Sequence, residues 1–182
     1  IMGYNTDKIE YKSYLVRHEQ KQNKGAFGSD TEKTKTYKAE WAFQGKYKDI
    51  KDFGNIVEAQ KYAAKVCKSK TWQKLFLEKG RKTSEVLVVQ KQRSTGRGTA
   101  GWASGRTVTL DQLVGLDEYT LLHEMAHCLG NWHHGRSFRR DLLKLVSRFM
   151  GTEAAKALKA EFKERKLACG EPRKPMSFET WR

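Results

Sequence analysis

Three cysteines in 182 residues, none of them in a C-x-x-C pair, leave an odd count and no basis for a disulfide framework. That favours a reducing compartment. No apolar run approaches the roughly 20 residues that a membrane-spanning helix needs, so no membrane partner is expected. Residues 1–10 carry no continuous apolar core, which excludes a secretory signal from the expectation and leaves a cytoplasmic location. Acidic side chains are scarce. There are 21 Asp+Glu against 36 Lys+Arg, and the formal net charge is +15. A field this positive attracts DNA or another polyanion through a basic surface, unless it serves only to keep that surface solvated. The excess is spread through the chain and is densest from residue 81 to 106, where Arg81, Lys82, Lys91, Arg93, Arg97 and Arg106 face Glu85 alone.

Histidine is also scarce, and its placement therefore carries meaning. Of the 5 histidines (His18, His123, His127, His133 and His134), all but His18 fall within one short stretch. That stretch opens as H-E-x-x-H at His123-Glu124-Met125-Ala126-His127. On a helix, positions i and i+4 stand on one face, so His123 and His127 can offer imidazole nitrogens to one zinc ion (Zn2+). Glu124 lies beside that face, where a carboxylate can take a proton from water on the metal and return it to a leaving group. A tetrahedral catalytic site needs a third protein ligand and one open position. Gly130 can leave the helix in a left-handed conformation and turn the chain back toward the metal, and His133 and His134 follow. A structural zinc site would instead favour four protein ligands with cysteines among them.

These residues carry a resemblance. The stretch from His123 to His133 is similar to the H-E-x-x-H-x-x-G-x-x-H signature of metzincins, which implies His133 as third ligand. It also resembles the SprT/Spartan-like and WLM-type zinc proteases, in which a His stands four residues before an aromatic. His134-Gly135-Arg136-Ser137-Phe138 fits that H-G-x-x-F pattern, and implies His134 instead. The chain further resembles a metallohydrolase family of actinobacteria and their phages from about residue 37 to 167. That likeness runs through Tyr37-Lys38-Ala39-Glu40, residues 58–72, Val108-Thr109-Leu110 and Phe149-Met150-Gly151. The SprT-like resemblance implies proteins bound or crosslinked to DNA as substrates.

Along the chain, loose alternation at residues 9–16 suggests a strand or short helix, and residues 21–35 a polar loop. Tyr37, Ala39, Trp41 and Phe43 alternate nearly enough to predict a half-buried strand over residues 36–44. Residues 55–78 have helical periodicity with a polar break at 68–70, capped by Asn55 and stopped by Gly80. Val86-Leu87-Val88-Val89 reads as a buried strand. Gly-rich residues 94–105 read as a hairpin turn into a second strand over residues 102–110, whose edge is the candidate to pair with extended substrate backbone. Asp117 caps the zinc helix, where Tyr119 packs or helps orient a ligand. Ser137 opens a helix ended by Gly151, with Arg136, Arg139, Arg140, Lys144 and Arg148 outside and Met150 as packing. A last helix covers residues 152–167. Cys128 reads as a core thiol.

The expectation is an α+β minimal zincin-like domain: a small antiparallel sheet, an HExxH active-site helix and flanking helices. It occupies residues 36–168, after an N-terminal extension at 1–35 and before a tail at 169–182. The expected activity is that of a monomeric zinc metalloprotease. His123, His127 and His134 hold zinc, with His133 as the alternative third ligand, and Glu124 acts as general base on a protein or peptide substrate. Two rivals keep the zinc. One is a nucleic-acid hydrolase, although the endoribonuclease type that also uses three histidines has no Glu at the second position of its motif, so Glu124 favours proteolysis. The other is a nucleic-acid binding module stapled by structural zinc, which would unfold on chelation.

Overall fold

The computed structural model describes residues 30–78, 86–91 and 100–170. The expected element at residues 9–16, residues 21–29 of the expected loop, the Gly80 stop, residues 94–99 of the Gly-rich stretch and the tail beyond Gly170 lie outside the described residues. Those described form an α+β fold of six helices and three strands. In chain order these are α1 (Lys33–Lys46), α2 (Ile56–Lys68), α3 (Lys70–Glu78), β1 (Leu87–Lys91), β2 (Gly101–Ser104), β3 (Thr107–Asp111), α4 (Glu118–Cys128), α5 (Arg136–Phe149) and α6 (Thr152–Glu164). None of the described helices is long and apolar enough to cross a membrane.

Capping chemistry sets several helix starts. Asn55 accepts a hydrogen bond from the Glu58 backbone N–H at 3.1 Å to open α2. The polar break is Ser69, which is extended (φ −74°, ψ 145°) and whose hydroxyl accepts from the Trp72 N–H at 3.1 Å. One helix therefore ends there and another begins. Asp117 accepts from the Thr120 N–H at 2.8 Å to open α4. Gly130 (φ +93°) and Gly151 (φ +104°) follow α4 and α5 in backbone conformations that residues with a Cβ rarely adopt.

Residues 36–44 are helical, which corrects the predicted strand. In α1 the buried positions are Thr36, Ala39, Glu40 and Phe43, a spacing of one helical face. Two of those four are polar, so the inward stripe does not stand out as hydrophobic, and the aromatics imitate a period of two.

The sheet is mixed rather than antiparallel, in the order β1-β3-β2. β1 runs parallel to β3, with Val88 opposite Val108, and β2 runs antiparallel to β3, with Trp102 opposite Thr109. The predicted single strand over residues 102–110 reverses at Gly105 (φ +59°) and becomes the β2–β3 hairpin. β3 is the central strand, with Val108 and Leu110 fully buried, whereas β1 buries Val88 but exposes Leu87 and Val89 and so is half-buried rather than the buried strand expected. β1 and β2 do not pair with each other. Helices α2 and α4 pack on the sheet, and α6 closes the other side against α1 and α5.

Two arginines expected on the solvated side of α5 are buried, Arg139 completely and Arg140 at 8% exposure. Arg139 donates to the carbonyls of His134 (2.6 Å) and Ala168 (2.8 Å) and to Glu32 Oε2 (3.0 Å). It thereby ties α5 to the start of α1 and to the chain leaving α6. Five donors in a planar fork make this one role for which Lys is no substitute. Met150 packs against the core, as expected.

The turn between β3 and α4 is tight. Asp111 Oδ1 accepts from Leu113 N at 2.8 Å, and Gly115 N donates to the Asp111 carbonyl at 2.9 Å. A Cβ at Gly115 would stand 1.8 Å from the Ala100 carbonyl oxygen, which itself accepts from the Asp111 N–H. Backbone, not a pliable side chain, is in the way. Gly115→Ala is therefore expected to cost about 3 kcal/mol or more, the upper end for overpacking. Urea unfolding of the variant checks this, and an unchanged midpoint would refute the close approach.

Candidate metal centre

Helix α4 carries His123 and His127 one turn apart, and the chain returns from Gly130 to bring in His134. The described residues place His123, His127 and His134 so that one donor atom from each lies within 4.8 Å of the others, close enough to hold a metal ion. The Nε2 atom of His134 is 3.2 Å from that of His127 and 3.3 Å from that of His123. Zinc–nitrogen bonds of 2.0–2.1 Å at tetrahedral angles require donor nitrogens about 3.3 Å apart. The separations match. His133 is not in this group: its side chain is 50% exposed, with Nδ1 3.9 Å from Asp30. Cys128 is buried in the core, as expected.

The opposite nitrogen of each ring has its own acceptor. His123 Nδ1 lies 2.7 Å from Glu40 Oε1, His127 Nδ1 2.6 Å from the Asn131 carbonyl oxygen, and His134 Nδ1 2.7 Å from Asp30 Oδ2. A carbonyl or an ionised carboxylate only accepts, so each Nδ1 carries the proton and donates it. Every Nε2 then presents a lone pair, and the three point at one another. Such a donor set fits a cation.

Each acceptor is itself held. Tyr119 donates its hydroxyl to Glu40 Oε1 at 2.7 Å. Tyr119 packs in the core and, through Glu40, also bears on the His123 ring. Asn131 donates its amide to Ala126 O and to Asp141 Oδ2, both at 2.9 Å, and Asp141 in turn takes Arg140 Nε at 2.8 Å. Asp30 also accepts the His134 backbone N–H at 3.0 Å, while Thr36 and Arg139 donate to the His134 carbonyl. Phe138 lies beneath all three rings, its centroid 4.9, 4.5 and 4.9 Å from those of His123, His127 and His134. Tyr37 covers His134 from α1, with ring centroids 4.7 Å apart.

Titration follows from these surroundings. Burial pushes His127 well below the usual imidazole range, and the two neighbouring rings add to the shift. Burial lowers His134 as well, against the hydrogen bond its ring donates to Asp30. Burial raises the Asp30 carboxyl, but the ring and backbone donors of His134 outweigh it and bring it down to about 2. Burial and the Glu40 charge raise Tyr119 well above its ordinary value, so its hydroxyl keeps the proton it donates.

Glu124, next to His123 on α4, is also buried, at 7% exposure. It faces β2. A Cβ at Gly101 would come within 3.1 Å of Glu124 Cγ and of the Thr109 carbonyl oxygen, so the missing side chain leaves room for the Glu124 methylene against the strand. β2 is the edge strand beside α4, and Trp102 follows Gly101 with 44% of its surface exposed.

Asp30 and Asn131 had no role in the sequence reading, and Glu40 entered it only within a motif of resemblance. Glu40 and Asp30 lie 83 and 104 residues from their histidine partners, beyond any local spacing rule. Asn131 is four residues after His127 and acts through its backbone oxygen, which any residue possesses.

His134→Ala is expected to weaken metal binding by more than the roughly 10–100-fold typical of losing an orienting partner, whereas His133→Ala leaves it near wild type. Competition with a chelator of known affinity reads both; the reverse ranking would make His133 the ligand. No protein-family model, curated protein or solved structure matches the chain.

Proposed function

We propose that the chain is a zinc-dependent metallopeptidase that hydrolyses peptide bonds. The observation that carries this reading is the convergence of three Nε2 lone pairs at 3.2 and 3.3 Å, with a buried carboxylate on the next residue of the same helix. His123, His127 and His134 are the groups that would hold the ion. Zinc there would supply Lewis acidity, polarising a carbonyl oxygen and lowering the pKa of water to about 7.

The protein's own groups do the rest. Glu124 is the general base: it takes a proton from the attacking water and passes it to the leaving amine. Its seat against Gly101 holds the carboxylate next to the edge strand. β2 lies at the end of the described sheet, and an extended peptide pairing along it would lay the scissile bond across the site. Phe138 and Tyr37 shield the neutral histidine rings from water, which would strengthen their attraction for a cation.

Three protein donors in the described group, with Cys128 turned into the core, favour a site with an open position over a four-ligand structural one. The resemblance to SprT-like and WLM-type proteases points the same way. The net charge of +15 favours substrates associated with DNA or another polyanion.

Incubation of the purified protein with casein, a histone and labelled RNA, each with and without single-stranded DNA or chelator, tests the reading. Chelator-sensitive cleavage of protein is expected. Glu124→Gln should lower turnover by roughly 10²–10⁴-fold or more while zinc stays bound. Cleavage of RNA alone would reassign the site to nucleic-acid hydrolysis, and retained proteolysis in Glu124→Gln would remove its assigned role.

A further inference from the structure

The three oxygens that hold the histidines are unequal, and the inequality concerns how a cation's charge is balanced. His127 donates to a neutral carbonyl, whereas His123 and His134 donate to the carboxylates of Glu40 and Asp30. One negative charge from each carboxylate balances a divalent ion among rings that are themselves neutral. The two carboxylates sit in different surroundings. The Glu40 side chain is 2% exposed and that of Asp30 is 15% exposed, so water screens Glu40 less and its charge acts more strongly on the cluster.

Glu40 has a second peculiarity. Its Oε1 takes both the His123 Nδ1–H and the Tyr119 hydroxyl, while its Oε2 is buried with no hydrogen-bond partner among the described residues. A half-satisfied carboxylate on the inward face of a helix is costly, and an apolar side chain at that position would pack without the cost. Its presence calls for a compensating positive charge nearby.

We infer that Glu40 is a positioning residue that sets the affinity of the three-histidine site for a divalent cation, by fixing the His123 ring and by supplying buried counter-charge through it. Asp30 does the same for His134 with a smaller effect. The inference rests on the metal reading above.

Zinc affinities of the wild type, Glu40→Gln and Asp30→Asn, measured by competition with a chromophoric chelator, test it. Circular dichroism verifies the fold, and nitrogen NMR reads the His123 tautomer. Glu40→Gln keeps an oxygen that accepts from His123, loses the charge and puts an amide NH2 in place of the buried Oε2. It is expected to remain folded, keep the Nδ1–H tautomer and bind zinc roughly 10–100-fold more weakly, with a smaller loss in Asp30→Asn. A folded Glu40→Gln with wild-type affinity overturns the inference and leaves the metal reading intact. A folded wild type that binds no zinc removes the metal reading itself. Should Glu40→Gln fail to fold, Asp30→Asn carries the test, and unchanged affinity there overturns the charge balance.

Discussion

The hydrogen bonds from three Nδ1 atoms to Glu40, Asn131 and Asp30 commit each imidazole proton to the outside of the histidine cluster. Three lone pairs are thereby forced to face one another inside it. In water such rings would turn away or take up protons. Here Phe138 below and Tyr37 above remove the water, and burial holds His127 and His134 below their ordinary pKa. The arrangement is tolerable because the partners over-determine it, and a cation held by the three Nε2 atoms would offset the repulsion between their lone pairs.

The architecture reads as a means of delivering those acceptors. Glu40 comes from α1, Asp30 from the residues just before it, and Asn131 from the loop that leaves α4. Arg139 then locks the start of α1 and the His134 carbonyl to α5 through one buried guanidinium. The small sheet has a different part. Its central strand β3 is buried against α4, and its edge strand β2 lies beside Glu124, where Gly101 provides the room. The face of α4 that carries the histidines and the face that carries Glu124 are therefore supported by different elements, helical on one side and extended on the other.

Local signals were legible in the chain to the extent that they are local. Asn55 and Asp117 cap helices because a short polar side chain can reach the backbone N–H three residues on, and Gly130 and Gly151 follow helices where φ turns positive. Residues 36–44 were not legible, because the inward face of α1 includes Thr36 and Glu40. A polar residue on a buried face looks like a solvated one until its partner is known. Arg139 failed for the same reason: its period placed it with the exposed arginines, and only the carbonyls of His134 and Ala168 explain its burial. Pairing in the sheet was misread because the turn at Gly105 inserts β3 between β1 and β2, a choice made by burial of Val108 and Leu110 rather than by order along the chain.

The amino-acid sequence by itself determined the spacing of His123, Glu124 and His127 on one helix, since the helical repeat is a property of the backbone. It also narrowed the third histidine of the group to two adjacent candidates. Tertiary structure alone decided between them: Asp30 and Thr36, both distant in the chain, join the nearby Arg139 in holding the backbone and ring of His134, and His133 is left half exposed. It alone also brought Glu40 to His123, because an acceptor is recognised by where it sits in space, and no local pattern records that.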